Sequence, residues 1–225
     1  MKRISGTITS NKLSSSKHKL ESIMKYSDFQ KKTSFNQEEL IGLSYRQLID
    51  DPPKDFDARL PAPPFLMVDR ILKIKKNKSR GKIIAEQDIR LDAWYFQCHF
   101  PGDPIQPGCL CVDAIWQLMG FYCIWLGALG AGRALGCEEV AFNGQIRPYN
   151  KIVSFDIDVI RYSELKRNKV SLIIANSIIS VDGEAIASVK KARVGVFKNI
   201  TYNDYPRRSK NAIGGIIERD IDETK

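Results

Sequence analysis

Histidine is almost missing from this chain: there are two, His18 and His99, in 225 residues. Five cysteines stand at 98, 109, 111, 123 and 137, and their spacing to one another and to His99 matches no zinc pattern. Cys109 and Cys111 would also point to different sides of a helix, so no metal centre is called for. An odd number of cysteines in apolar surroundings excludes a disulfide framework and suits a reducing, cytoplasmic compartment. The net charge is +9, yet neither a zinc finger nor an aromatic ribonucleoprotein box accompanies it. That excludes the familiar nucleic-acid modules and leaves an acidic protein or an anionic surface for the charge to serve. No part of residues 1–32 is apolar enough for a secretory signal. No internal repeat appears, which excludes a solenoid.

What is present is a globular composition, 43% hydrophobic and 27% charged, enough for one large or two small domains with a real core. Residues 1–32 are rich in Ser and Lys and nearly free of acids. An amphipathic organellar leader would favour Arg and show an apolar face, so this stretch reads as a disordered basic tail. Residues 199–225, with Pro206-Arg207-Arg208 and weak periodicity, read as a second tail. The folded domain is expected over 33–198.

Within that domain Asn36 followed by Glu39 marks a helix start, with Leu40, Ile41 and Leu48 on one side and Asp51-Pro52-Pro53 as the stop. Leu60-Pro61-Ala62-Pro63-Pro64 is a rigid lead-in. Strands are expected over 65–75 and 82–89, and a long helix from about Cys109 to Leu126. Residues 108–130 contain no Lys or Arg and could span a bilayer by length, but Asp113 and Gln117 lie one turn apart on one face. A helix apolar all round is either in lipid or wrapped by its own protein, and a chain rich in strands favours wrapping. Val153, Phe155, Ile157 and Val159 alternate with polar residues as a strand should. Strands over 170–179 and 185–197 follow, joined by a hairpin turn at Asp182-Gly183. The fold class is therefore α+β, an antiparallel sheet curled around one central helix.

Residues 98–117 hold the chemistry. His99 can take and return a proton near neutral pH. Pro101, Pro104 and Pro107 stiffen the loop that carries it. Gly108 opens the long helix, whose first N–H groups are unpaired and partly positive, so a thioester carbonyl placed there would be polarised. Asp113 lies among Leu110, Val112, Ala114, Ile115 and Leu118. Burial favours its neutral form, which can give a proton to a leaving hydroxide, and Gln117 can orient it. A base, a carbonyl-polarising donor and an acid are what removing water from a 3-hydroxyacyl thioester requires. The plainer alternatives are a satisfied loop histidine, a capping glycine and a structural Asp–Gln pair.

At these residues the chain resembles the bacterial 3-hydroxydecanoyl-acyl-carrier-protein dehydratase/isomerase family, which has the hotdog fold. The matching text is His99-Phe100-x-Gly102-Asp103-Pro104, Pro107-Gly108-Cys109-Leu110, Asp113-Ala114-x-Trp116-Gln117-Leu118, Gly120-Phe121-Tyr122, Trp125-Leu126-Gly127, Gly132-Arg133-Ala134-Leu135-Gly136 and Gly144-Gln145. Leu60-Pro61-Ala62-Pro63 and Asp69-Arg70 agree upstream. The resemblance implies His99 as base and Asp113 as acid, contributed by opposite subunits of a homodimer. It implies the Gly108 N–H at the thioester oxygen and the Ile105 carbonyl orienting the His99 ring, with Cys109 and Gln117 in the same substrate-binding set. It implies no cofactor, and a carrier protein bearing the acyl chain on phosphopantetheine, as in fatty acid biosynthesis. Arg161, Lys166, Arg167 and Lys169 form the densest basic group for docking that acidic partner. Asp rather than Glu at position 113 points to the branch that also isomerises trans-2 to cis-3 enoyl products. A dehydratase without isomerisation and a non-catalytic acyl-thioester binder are the alternatives.

Overall fold

Val153, Phe155, Ile157 and Val159 are all buried, and the polar residues between them face outward or lie half-covered. The structure, a computed structural model, describes residues 23–165, 170–198, 200–201 and 213–214. The alternating strand belongs to a fully antiparallel sheet built from β1 (Arg70–Asn77), β2 (Arg80–Asp88), β3 (Ala131–Gly136), β4 (Glu139–Phe142), β5 (Ile152–Leu165), β6 (Val170–Val181) and β7 (Glu184–Phe197). Its order is β1-β2-β5-β6-β7-β3, with β4 also paired to β7. Against it lies the helix α3 (Gly108–Trp125), buried on nearly every side. This is the α+β hotdog arrangement expected from the sequence. The helix is long and apolar enough to cross a membrane, but most of it is covered by the protein's own sheet and N-terminal segment.

Asp182 and Gly183, both at positive φ, turn β6 into β7, the backbone that the right-handed twist of a tight hairpin demands. The helix α2 (Gln37–Ser44) starts where expected: the Asn36 side chain accepts from the Glu39 N–H, and the Glu39 carboxylate accepts from the Asn36 N–H. It stops at Ser44, before the prolines are reached.

Two expectations need correcting. The strand foreseen from residue 65 begins only at Arg70, because the backbone of Phe65 and Met67 is hydrogen-bonded to the Gln117 side chain instead of to a neighbouring strand. And the stretch read as a basic tail already contains structure before residue 33. Helix α1 (Tyr26–Lys31) buries Phe29 against Phe35 and Phe121, with ring centroids 5.5 and 5.8 Å away. The Trp125 Nε1 donates to the Lys32 carbonyl at 2.9 Å, pinning this segment over the end of α3. Residues 1–22 lie outside the described residues. Of 199–225, only two short strands are described, β8 (Ile200–Thr201) and β9 (Ile213–Gly214), paired with each other.

Candidate active site

The loop before α3 is held rigidly by its own backbone. A 3₁₀ turn at Trp94–Gln97 leads into it, and the His99 N–H donates to the Tyr95 carbonyl at 2.8 Å. Phe100 and Asp103 exchange backbone hydrogen bonds of 3.0 and 2.9 Å around Gly102, which sits at φ +83°. The Ile105 N–H closes back onto the His99 carbonyl at 2.8 Å, and Arg147 pairs with the Asp103 carboxylate.

The His99 ring is fixed twice. Phe100 stacks on it with centroids 4.0 Å apart, and Nδ1 lies 3.0 Å from the Ile105 carbonyl oxygen. A carbonyl can only accept, so Nδ1 carries the hydrogen and the neutral ring presents Nε2 as a base. Half-buried, His99 remains within reach of a substrate.

Gly108 begins α3 with Pro107 as its cap residue. Among the described residues no side chain caps this end and no acidic residue lies in the first turn, which leaves its positive pole uncapped. A Cβ here would come within 2.5 Å of the Phe142 ring, which would have to shift to admit it. Cys109, next along, is exposed.

One turn further, Asp113 is half-buried. Loss of water pushes its carboxyl above the ordinary carboxylate range, and the bond from Gln117 pulls the other way. That bond runs from Gln117 Nε2 to Asp113 Oδ2 at 2.6 Å. Gln117 is itself anchored, because Nε2 also donates to the Phe65 carbonyl at 2.9 Å and Oε1 accepts from the Met67 N–H at 3.1 Å.

Asp113 and Gln117 stand at a cavity of about 660 Å³, continued by Trp116, Gly120, Phe121 and Ile124 on one stripe of α3. Leu60, Pro61 and Phe65 close one side, and Ala131 to Ala134 of β3 the other. Neither His99 nor Gly108 is among the described residues lining it. One chain thus brings His99 to Ile105 and Asp113 to Gln117, but does not gather the two pairs around one cavity. Of the expected docking residues, Arg161 is exposed on β5, bonded to the Ser163 hydroxyl at 3.2 Å. Lys166, Arg167 and Lys169 lie outside the described residues.

The structure adds residues that sequence reasoning missed. Gln106, buried beneath the loop, donates to Gln87 Oε1 at 3.0 Å, and its backbone N–H donates to the Ile146 carbonyl at 3.0 Å. Trp116 Nε1 is buried in the cavity wall without a hydrogen-bond partner among the described residues. A buried amide between prolines, or a tryptophan in an apolar helix, carries no marker in sequence that separates it from ordinary core.

A family profile described as "FabA-like domain" matches residues 60–190. Among solved structures the chain is similar to the dehydratase heterocomplex ApeI:P from Xenorhabdus doucetiae, at 12% identity over 60% of this chain and 84% of that one, with a TM-score of 0.45. It is also similar to an isomerase-inactive variant of GphF DH1, at 16% identity over 60% of this chain and 43% of that one, TM-score 0.41. An uncharacterized protein from Erwinia carotovora subsp. atroseptica matches at 18% identity over 54% and 88%, TM-score 0.35.

Proposed function

This chain belongs to the FabA-like domain family, and from that footing we propose that it dehydrates 3-hydroxyacyl thioesters borne by acyl carrier protein, and isomerises the trans-2 product to cis-3, as a cytosolic homodimer. The observation that carries the reading is the Asp113–Gln117 pair at the head of a cavity whose α3 wall beyond it is apolar. An acid whose neutral form burial favours, aimed by a fully anchored amide, suits protonation of a leaving hydroxyl.

In the dehydration His99 Nε2 takes a proton from C2. The Gly108 N–H and the uncapped end of α3 stabilise charge on the thioester oxygen. The C3–O bond breaks as Asp113 donates its proton, so water leaves and the C2–C3 double bond forms. Isomerisation then takes a proton from C4 and returns one to C2, with no hydroxide to expel. Because the cavity at Asp113 lacks His99 and Gly108 among its described lining, a second copy supplying them is the arrangement that completes the site. Carrier-protein docking is assigned to the basic group at Arg161, Lys166, Arg167 and Lys169. The β1–β2 hairpin adjoins it: the Tyr162 N–H donates to the Ser79 carbonyl, and Lys76 lies 5.5 Å from the Tyr162 ring.

The test is incubation with 3-hydroxydecanoyl-acyl carrier protein, with trans-2 and cis-3 enoyl products resolved. Both are expected, and no enoyl product at all would overturn the reading. Inactive His99→Ala and Asp113→Asn subunits, mixed and exchanged, should regain activity, since each mixed dimer holds one intact site. No recovery after proven exchange would put both groups in one chain.

A further inference from the structure

Gly120 stands in the middle of α3, where glycine weakens a helix by about 1 kcal/mol relative to alanine. Packing does not ask for it. Although the residue is buried, a Cβ placed on it meets no atom within 4 Å. Several other buried or half-buried glycines are pressed by a neighbour: at Gly81 a Cβ would strike the Tyr122 hydroxyl at 2.2 Å and the Lys75 carbonyl at 2.6 Å. Gly132, on β3, is exposed and also has nothing within 4 Å of its own added Cβ. Both glycines line the same cavity, one on the helix and one on the facing strand.

The cavity's helical wall runs Asp113, Trp116, Gln117, Gly120, Phe121, Ile124. These are steps of three and four residues, a single stripe. The eleven steps from Asp113 to Ile124, at about 1.5 Å rise each, make it about 16 Å long. Past Gln117 the helical stripe is apolar and suits hydrocarbon, while Asp57, Arg59 and Arg133 line other parts of the same cavity.

We infer that Gly120 and Gly132 set the bore of the acyl-chain channel and thereby decide which 3-hydroxyacyl chain lengths are processed. The inference rests on the dehydratase reading. An extended alkyl chain advances about 1.25 Å per carbon, from C–C bonds of about 1.5 Å at about 111°, so the stripe holds roughly a dozen carbons. Glycine at both positions keeps the channel open past Asp113. A side chain at either would stop the hydrocarbon a few carbons beyond C3 while leaving the reacting carbons untouched.

The experiment uses the full chain with Gly120→Ala, Gly120→Leu and Gly132→Val, and 3-hydroxyacyl-pantetheine thioesters of four to twelve carbons. Gly120→Leu and Gly132→Val should hold kcat/KM for the four-carbon substrate within about threefold and lower it for ten carbons by about 10–200-fold, the range for steric discrimination in an apolar pocket. Gly120→Ala should fall between and melt no lower than wild type, which keeps the test open if a bulkier variant fails to fold. Calorimetry with saturated decanoyl- and butanoyl-pantetheine gives a readout free of turnover, in which only decanoyl binding should be lost. Equal effects at every length, or none, would overturn the proposal. So would conversion of Gly120→Leu to a monomer, since the space would then belong to a subunit contact. Wild type that binds decanoyl-pantetheine in preference to butanoyl, loses that preference in the variants and yet turns nothing over would sink the dehydratase reading and leave the channel standing. Turnover without any length shift in the variants would do the reverse.

Discussion

Gln117→Leu keeps the volume of the side chain and removes its polar atoms, so it isolates what the amide does. In the wild type the amide bonds the Asp113 carboxyl, the Phe65 carbonyl and the Met67 N–H at once. Met67 is only 2% exposed, so its N–H finds no water, and leaving it bare costs about 1–3 kcal/mol. Phe65 is 45% exposed, and water replaces the lost donor there at little cost. The leucine returns up to about 1 kcal/mol through apolar contact. The net loss is about 1–2 kcal/mol, which at this chain size lowers Tm by roughly 2–8 °C. The same change removes the bond that favours ionised Asp113, so its carboxyl moves further up. Dehydration needs the protonated acid, so the alkaline limb of kcat should shift to higher pH even as kcat itself falls. Urea and thermal unfolding, with initial rates of enoyl formation measured from neutral to alkaline pH, check both effects. A variant that melts with wild type would show that the Met67 bond is not made in solution. An alkaline limb moved to lower pH would refute the assigned role of Gln117.

His99→Ala should leave the protein folded and lower dehydration by about 10²–10⁴-fold, the usual contribution of a general base; turnover within tenfold of wild type would remove His99 from the mechanism. Asp113→Asn should abolish dehydration, spare isomerisation of a supplied trans-2 substrate more than dehydration, and stabilise the fold. Folded Asp113 holds its proton more tightly than the unfolded chain does, so stability from this group is full below the ordinary carboxylate range and is lost as pH rises through the raised folded value. The asparagine variant should therefore melt above wild type near about pH 8, with the gap closing toward about pH 4; a lower melting point at alkaline pH would contradict it. Reversing Arg161 and Arg167 to Glu should raise KM for carrier-bound substrate at low salt and leave a pantetheine substrate unchanged, because rim charges act on encounter; equal effects on both would place docking elsewhere.

The sequence by itself determined the elements whose signals are local. The alternation from Val153 to Val159, the Asn36–Glu39 cap, the Asp182-Gly183 turn and the apolar run of α3 each depend on neighbours within a few residues, and each stands in the structure where it was expected. His99, Gly108, Asp113 and Gln117 were legible for the same reason, since all lie within twenty residues and a carboxyl in an apolar helix is conspicuous. Tertiary structure decided the rest, because those features depend on residues distant in the chain. Phe65 and Met67 leave the strand only because Gln117, fifty residues on, offers their backbone better partners. Phe29 is core only because Phe35 and Phe121 reach it. The glycines at 108 and 120 look alike in sequence, yet one is pressed by the Phe142 ring and the other faces empty space. Which glycine has a ring against it and which faces a cavity depends on what stands opposite it, and that is set by how β3, β4 and the lead-in from Leu60 to Phe65 close around the helix.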